Sequence, residues 1–179
     1  MEEKNKNNRN RWRKIKEWGD VLLKAIALFI ILYYWIFQIS VVQGDSMSPL
    51  FSTGDRLIIE KVSLWFRPIQ QGDLVVFYYP RDLSKEYLKR VLAGPFDTLR
   101  IKEGKVEVNG KEVVFSEVQE QESSTKDQTL KLRSAEYFVL GDNRPLSSDS
   151  RDFGPVPQGY IKGRVFLRFW PFTQWHFFE

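Results

Sequence analysis

The chain has 179 residues, enough for one ordinary domain with short additions, and it contains no cysteine and a single histidine, His176. This composition excludes disulfides, thiol nucleophiles, cysteine metal sites and multi-histidine metal sites. A Ser-His-Asp triad would have to use His176, close to the C-terminal end. Any acid–base chemistry near neutral pH is therefore expected to use a lysine or a carboxylate, without a metal or cofactor.

The positive charge of the chain is concentrated at its N-terminal end. Of the formal net charge of +4, residues 1–20 supply +3 and Lys24 supplies the rest, whereas residues 43–179 hold 19 basic and 19 acidic side chains. A nucleic-acid-binding domain would carry its excess charge on the folded part, so nucleic acid is not an expected partner. Basic residues before an apolar segment are typical of proteins oriented in a membrane.

An apolar run covers residues 21–42 and is interrupted only by Lys24, Gln38 and Ser40. A helix that crosses a bilayer needs about 20 apolar residues. The alternative is a cleavable signal peptide, but the run is too long and no small-x-small cleavage site follows it. We predict a disordered cytoplasmic tail over residues 1–20, a transmembrane helix over 21–42 and one extracytoplasmic domain over 43–179.

The predicted extracytoplasmic domain has the pattern of short β-strands. Asn109-Gly110 between two alternating segments is a strong hairpin signal, and residues 116–133 are polar enough for an exposed excursion. The sequence therefore predicts a mostly-β domain with strands over 56–61, 73–79, 87–92, 99–101, 105–115, 136–140 and 160–170.

Two aromatic clusters allow two interpretations. One is Leu64-Trp65-Phe66, and the other is the tail from Phe169 to Phe178. Either cluster could pack in the core, or it could dip into the bilayer interface, where tryptophan is favoured. The sequence does not decide between these interpretations.

Gly44-Asp45-Ser46-Met47-Ser48-Pro49 follows the apolar run closely. Serines are common in surface loops, so Ser46 alone is weak evidence for a nucleophile. Its position is stronger evidence, because seven residues after Ile39 reach at most ~24 Å. Ser46 is thus expected near the outer membrane surface, where it could act on a substrate embedded in the membrane.

Lys89 is the candidate base. A free lysine has a pKa of about 10.4, and burial beside apolar groups can lower that pKa by about 3–5 units. Alternation along the strand puts Tyr87, Lys89 and Val91 on one face, which could point into the domain, and Arg90 on the other. Without further evidence, a solvated surface lysine is the ordinary interpretation.

A third segment, residues 141–154, is dense in turn-forming residues and in opposite charges. The ordinary interpretation is an Asx-rich loop. Charge-assisted pairs among its side chains could instead hold a loop rigidly beside a site. The charged residues concerned are Asp142, Arg144, Asp149 and Arg151.

Taken together, the three segments resemble the bacterial type I signal peptidases, in the short form with a single N-terminal anchor found in Gram-positive bacteria. G-D-S-M-S-P with Gly54-Asp55 is similar to the serine box of that family, and Y-L-K-R-V is similar to its lysine box. G-D-N-R-x-x-S-x-D-S-R-x-F-G is similar to its last signature. The resemblance implies a fold of coiled antiparallel β-sheets with one N-terminal transmembrane helix.

The resemblance also implies roles for individual residues. Ser46 would attack the peptide carbonyl, neutral Lys89 would take the serine proton, and the backbone N–H of Ser46 would help to bind the oxyanion. Some members add a serine hydroxyl two positions before the nucleophile, where this chain has Gly44 beside Asp45. Ser147 would hydrogen-bond and orient Lys89, and the four charged residues of the third segment would hold the site through salt bridges.

The chain departs from the family pattern at two places. Leu50 replaces the usual threonine after the proline of the serine box, and Ala93-Gly94-Pro95-Phe96-Asp97 replaces the usual G-L-P-G-D. Neither change touches Ser46 or Lys89.

The sequence thus predicts a membrane-anchored serine endopeptidase that removes signal peptides from exported preproteins after small residues. Signal peptides and the lipid bilayer are the expected partners. One rival is a self-cleaving Ser/Lys repressor, which the anchor and the absence of a DNA-binding module disfavour. The other is a non-catalytic, membrane-tethered β-domain that binds exported proteins.

Overall fold

The structure, a computed structural model, describes residues 2–102, 105–115 and 128–178. Contacts divide the chain into an N-terminal unit, Met1–Phe37, and a β-domain, Gln38–Glu179. The boundary lies inside the apolar run of the sequence.

The N-terminal unit is built on one helix, α1 (Glu2–Ile36). The prediction of a disordered tail over residues 1–20 is wrong for the residues described, since the helix continues back to Glu2. Residues 2–36 contain no proline, and each residue added to an existing helix gains a hydrogen bond. Apolar side chains of the second half of α1 are exposed, among them Leu23, Phe29 and Ile31.

The predicted helix over residues 21–42 ends earlier than expected, at Ile36. Phe37–Val41 instead forms strand β1 at the edge of a sheet. Its sequence, F-Q-I-S-V, contains the β-branched residues Ile39 and Val41, and its neighbour β2 supplies the backbone partners that a helix would otherwise provide. Within the part of the chain that the structure describes, no helix combines the length and apolarity that crossing a bilayer requires.

The β-domain consists of two antiparallel sheets, as the sequence predicts for a mostly-β fold. The larger sheet has the order β1-β2-β11-β3-β4-β9-β10, with β12 paired to β11, and the smaller has the order β7-β6-β5-β8. The remaining strands are β2 (Arg56–Glu60), β3 (Leu74–Tyr79), β4 (Asp82–Ala93), β5 (Thr98–Lys102), β6 (Lys105–Val108), β7 (Lys111–Glu112), β8 (Gln128–Lys131), β9 (Glu136–Leu140), β10 (Val156–Pro157), β11 (Ile161–Trp170) and β12 (His176–Phe177).

The larger sheet is covered by apolar side chains on both faces. Val76 packs in a cluster with Met47, Phe51 and Leu57, whereas its neighbour Val75 packs in a second cluster. Neighbouring residues of a strand point to opposite faces, so the sheet lies between two cores. A third cluster joins the ends of β4 and β9 to the smaller sheet. Side chains on either face of β4 can therefore be buried, which bears directly on the site.

The smaller sheet confirms the predicted hairpin and corrects the predicted excursion. Asn109 and Gly110 both have positive φ, at 53° and 78°, and join β6 to β7. Part of the excursion over residues 116–133 is in fact strand β8, which pairs with β5 because Leu130 and Leu132 bury apolar side chains in the third cluster. Residues 116–127 lie outside the described part of the chain.

Phe96 occupies a turn conformation that favours glycine. The turn after β4 is closed by the Asp97 N–H, which donates to the Gly94 carbonyl, and by the Gly94 N–H, which donates to the Asp97 carboxylate. Phe96 has φ 67° and its side chain is 67% exposed. Phe96 thus has a left-handed backbone, and burial of its ring does not offset the strain. The family pattern has glycine at this position.

Phe96→Gly is expected to raise the free energy of unfolding by about 0.5–1 kcal/mol. Removing the strain of the left-handed backbone stabilises the folded state by about 1–2 kcal/mol. The larger conformational entropy of glycine in the unfolded chain offsets part of this gain. Denaturant unfolding of the full chain in detergent measures the change. As a control, Phe172→Gly removes a ring that is equally exposed, at 66%, but not at positive φ, and it should lower stability. A destabilised Phe96→Gly protein would contradict the strain assigned to this turn.

Candidate active site

The structure places the two main candidates of the sequence in direct contact. The Lys89 Nζ donates a hydrogen bond to the Ser46 Oγ over 2.7 Å, although 43 positions separate the two residues in the chain. A hydroxyl in contact with an amine is the basic geometry of a nucleophile with its general base.

The loop that carries Ser46 is held on both sides. It is closed where the Val42 N–H donates to the Asp55 carbonyl and the Gly54 N–H donates to the Val42 carbonyl. Met47 and Phe51 are 1% and 0% exposed and fix the loop to the core beneath it. The serine therefore stands on a constrained loop, half-buried beside two buried anchors.

Arg168 of β11 holds the same loop from its far side. Its guanidinium donates to the Leu50 carbonyl at 2.7 Å, contacts the Asp55 carboxylate at 3.5 Å and lies over the Phe51 ring. Leu50, which replaces the usual threonine, thus takes part through its backbone, while its side chain packs against the core.

Lys89 points inward, as the alternation along its strand predicts. It lies on β4 opposite Val75 of β3 and is only 4% exposed. Its Nζ lies 5.3 Å from the centroid of the Tyr87 ring, which shares its face of the strand. The interpretation of Lys89 as a solvated surface lysine is therefore wrong.

Burial lowers the pKa of Lys89 from its ordinary value of 10.5 to about 8. Asp149 and Asp142 act in the opposite direction, because a nearby negative charge favours the ammonium form, and Arg151 adds to the lowering. At pH 7 about one tenth of such lysines are neutral, against fewer than about one in a thousand in water. The site thus provides an amine that can act as a base near neutral pH.

The third predicted segment lies against the serine. The Asn143 N–H donates to the backbone carbonyl of Ser46 at 3.0 Å. A methyl group added at Gly141 would lie 2.2 Å from the Ser147 Oγ and 2.5 Å from the Ser46 carbonyl oxygen. Gly141 therefore lets two backbone segments approach as closely as the site requires.

Asp149 organises the rest of that segment and is completely buried. It caps the short helix α3 (Ser150–Phe153), accepts a hydrogen bond from the Gly141 N–H and forms a two-point pair with Arg151, at 2.8 and 2.9 Å. The Arg151 guanidinium also donates to the Arg144 carbonyl at 2.7 Å. A bidentate pair of this kind fixes geometry as well as charge, so the structure contains part of the predicted salt-bridged loop.

An open groove with a volume of about 640 Å³ runs past the Ser46–Lys89 pair. Its walls include Gly44, Leu57, Val76 and Leu88. Among residues 2–102, 105–115 and 128–178, no three acidic or histidine side chains are placed to hold a metal ion. The groove brings together a serine hydroxyl and a buried amine.

Comparison with known families decides the identity of this arrangement. Residues 15–170 match the model of the signal peptidase family, peptidase S26. The chain belongs to this family. The matched region contains the serine loop, the lysine strand and the segment from Gly141 to Gly154.

The curated relatives agree with the family match. The chain is 34% identical over 171 residues to a probable signal peptidase I of Synechocystis sp., covering 92% of this chain and 87% of the relative. It is 35% identical to signal peptidase I of Bacillus caldolyticus, covering 86% and 90% of the two chains. A crystal structure of signal peptidase I from Enterococcus faecalis is 31% identical, with a TM-score of 0.47, covering 55% of this chain and 97% of that one.

The salt bridge that the signal peptidase resemblance implies for Asp142 has a different partner from the one expected. Asp142 does not pair within its own loop. Its carboxylate pairs with Arg90 at two points, both 2.8 Å, and both residues are buried. Arg144 donates to the Gly141 carbonyl at 3.0 Å. Arg90 points away from Lys89, as expected. Its side chain is nevertheless buried, against Asp142, because β4 is covered on both faces.

The hydrogen bond from Ser147 to Lys89 that the signal peptidase pattern implies is not found among the described residues. The Ser147 Oγ is buried and has no hydrogen-bond partner among the described residues. It lies beside Gly141, which in turn lies against the Ser46 carbonyl. The orienting role of Ser147 stays a prediction.

Gly44 and Asp45 lie before the nucleophile, exposed beside the groove. Gly44 has φ 82°, a backbone that side-chain-bearing residues rarely adopt. This conformation accounts physically for the glycine where some signal peptidases carry a serine hydroxyl. The Asp45 carbonyl accepts from the Ser48 N–H, so its backbone helps to shape the turn around Ser46.

Proposed function

We propose that this member of the signal peptidase family is a serine endopeptidase that removes signal peptides from exported preproteins, with Ser46 as nucleophile and Lys89 as base. The observation that carries the proposal is the 2.7 Å contact between a half-buried serine hydroxyl and a buried lysine amine beside an open groove. Lysine can take this role because burial has lowered its pKa to about 8.

The reaction follows from this contact. The Ser46 Oγ attacks the scissile carbonyl while its proton passes to the neutral Lys89 Nζ. The resulting oxyanion is stabilised by the backbone N–H of Ser46, and the Asn143 N–H holds the same residue by donating to its carbonyl. The Lys89 ammonium then protonates the leaving amine, which gives an acyl-enzyme. Lys89, neutral again, takes a proton from the water that attacks the acyl-enzyme and gives it to the Ser46 Oγ as the acyl group leaves.

The groove supports a preference for small substrate residues near the cut. Leu57, Val76 and Leu88 contribute apolar walls beside the nucleophile, and Met47 closes the floor with 1% exposure. These apolar walls suit a small apolar side chain, which the resemblance to the signal peptidases implies before the cut. We therefore expect cleavage after residues such as alanine.

We further propose that the N-terminal segment anchors the chain in the membrane, with residues 1–20 in the cytoplasm and the β-domain outside. The supporting observations are the basic excess before the apolar run and the exposure of apolar side chains along α1, including Leu22, Leu23 and Phe29. Resistance of the full chain to alkaline extraction from membranes would support the anchor, and release into the aqueous fraction would contradict it.

Cleavage of a purified preprotein by the full chain in detergent tests the function, with the product's new N-terminus read by mass spectrometry. We expect one cut after the alanine that ends the signal peptide. A preprotein with tyrosine in place of that alanine is the matched control and should remain uncut. No cleavage of the natural preprotein would favour the second candidate, a non-catalytic tethered β-domain that binds exported proteins.

Activity is expected to rise with pH through about 8. Below the pKa of Lys89, the ammonium form cannot accept the serine proton, so kcat/KM should fall about tenfold for each pH unit below about 7. Above about pH 9 the amine is neutral and the rate should be level. A peptide substrate without titratable side chains keeps substrate ionisation out of the profile. A rate that is flat from about pH 6 to 10 would contradict lysine as the base.

A further inference from the structure

Exposed apolar side chains of the β-domain differ in where they lie relative to the groove. Trp65 and Phe66, in the short helix α2 (Ser63–Phe66), are 75% and 82% exposed, so the interpretation of this cluster as core is wrong for both rings. Neither ring lines the groove. Leu146 is 66% exposed and does line it, together with Ser46. Its side chain therefore lies where a substrate passes, and the proposed reaction gives it no role.

The backbone around Leu146 is held on both sides. Leu146 ends a single turn of 3-10 helix that begins at Arg144, and its N–H donates to the Asn143 carbonyl at 3.2 Å. The Arg151 guanidinium donates to the Arg144 carbonyl at 2.7 Å and to the Ser147 carbonyl at 3.4 Å. A side chain on such a backbone does not have to be ordered when a ligand binds, which lowers the cost of the contact.

Two hydrogen bonds connect Leu146 to the nucleophile. The Asn143 N–H donates to the Ser46 carbonyl at 3.0 Å, and the carbonyl of the same Asn143 accepts from the Leu146 N–H. An extended peptide advances about 3.3 Å per residue, so the first two residues after a cut at Ser46 cover about 7 Å. Leu146 is thus close enough to the nucleophile to meet one of these two residues.

Lys89 separates two parts of the groove. Residues 84–88 precede it on β4 and line the first part. Just after it, Arg90 pairs with Leu140 at the end of β9, and the chain continues from there to Leu146, which lines the second part. A peptide whose scissile bond lies beside Lys89 therefore has one side of the cut in each part.

The apolar walls already described assign the two sides of the cut. Leu88 of β4, with Leu57 and Val76, forms the walls proposed for the residue before the cut, so the acyl segment occupies the first part of the groove. The segment that is released with the leaving amine then passes through the second part, alongside Leu146.

From this arrangement we propose that Leu146 is a specificity residue for the released segment, and that it contacts an apolar side chain at the first or second position after the cut. The proposal rests on the signal peptide cleavage proposed above and concerns the new N-terminus of the product. An apolar contact the size of one methylene group changes kcat/KM by about 10–200-fold in an enclosed pocket. Because Leu146 lies in an open groove, the lower end of this range is expected.

Cleavage of two matched peptides by the full chain in detergent tests the proposal. The peptides differ only in the two residues after the cut, which are Leu-Leu in one and Asp-Asp in the other. Leu146→Lys replaces the apolar side chain by a charge that attracts the acidic peptide. Val114→Lys is the matched control, because Val114 is 63% exposed and is not among the described residues that line the groove.

A methyl ester of the same acyl segment is the third substrate. It has no residues after the cut, so its rate reports any effect of a substitution on Ser46 and Lys89 themselves. The two peptide rates are compared within each enzyme and then with the ester rate. Cleavage of the ester also shows that each variant is folded.

We expect the original chain to favour the Leu-Leu peptide by about tenfold in kcat/KM, and Leu146→Lys to shift this ratio by about tenfold towards the Asp-Asp peptide. Val114→Lys should keep the original ratio. An unshifted ratio in Leu146→Lys would overturn the proposal. So would an ester rate that falls as far as the peptide rates, since Leu146 would then act through the nucleophile. If the original chain cleaved neither the peptides nor the ester, the proposed function would fail, and this proposal with it.

Discussion

Lys89→Met is expected to lower kcat for preprotein cleavage by about 10³-fold or more. The substitution keeps an unbranched apolar chain of similar length in a site that is 4% exposed, so the fold should be retained. What it removes is the amine that contacts the Ser46 Oγ at 2.7 Å. Within the described part of the chain, the hydroxyl would then have no base at hydrogen-bond distance. The nearby basic side chains Arg90 and Arg151 are guanidinium groups paired with carboxylates.

Three further variants test whether Ser46 and Lys89 act in the same chemical step. Ser46→Ala should be as inactive as Lys89→Met, and the double variant should be no worse than either, because residues that act in one step are not additive. Lys85→Met is the matched control, since Lys85 lies on the same strand but its side chain is 63% exposed. Additive losses in the double variant, or full activity in either single variant, would contradict a shared role.

Gly141→Ala is expected to lower kcat/KM by about 10²-fold and to destabilise the fold by about 3 kcal/mol. The added methyl group would lie 2.5 Å from the Ser46 carbonyl oxygen and 2.2 Å from the Ser147 Oγ, much closer than any real contact. The Ser147 side chain can rotate, but the backbone of the nucleophile would have to move. Both the Ser46–Lys89 contact and the Asn143–Ser46 hydrogen bond depend on that backbone.

Gly159→Ala provides the control for Gly141→Ala, because a methyl group at Gly159 meets nothing within 4 Å. Activity and denaturant unfolding should both be close to those of the original chain. If Gly141→Ala were as active as Gly159→Ala, the close approach of the two loops would have no part in placing Ser46. If it lost stability but kept its full kcat/KM, the contact would be structural only.

Local signals in the sequence predicted much of the fold. The Asn109-Gly110 turn, the strand over 136–140 and the inward direction of Lys89 all depend on neighbouring residues, and all are confirmed. Features that depend on distant partners were missed. Strand β1 exists because an edge of the sheet accepts it, and β8 exists because β5 lies beside it, neither of which the local composition reveals.

The site shows the same division. The resemblance of the three segments to the signal peptidases implied that Ser46 and Lys89 meet, and the alternation along β4 predicted the side of the strand that Lys89 occupies. Alternation did not predict that Arg90 is the partner of Asp142. It puts Arg90 on the face opposite Lys89, and that face is buried only because the sheet is covered on both sides. The apolar run Val91-Leu92-Ala93 directly after Arg90 was the available sign of such a strand. The close approach at Gly141 has no sequence signal beyond the glycine itself.

The most direct test of the Ser46–Lys89 mechanism is the capture of the acyl-enzyme. A signal-peptide substrate with an ester at the scissile bond is mixed with the full chain in detergent and quenched in acid within the first turnover. Mass spectrometry then locates the acyl group. The mechanism predicts the acyl mass on the peptide that contains Ser46, and none in Ser46→Ala or, at neutral pH, in Lys89→Met. An acyl group on any other residue, or an undiminished adduct in Ser46→Ala, would contradict it.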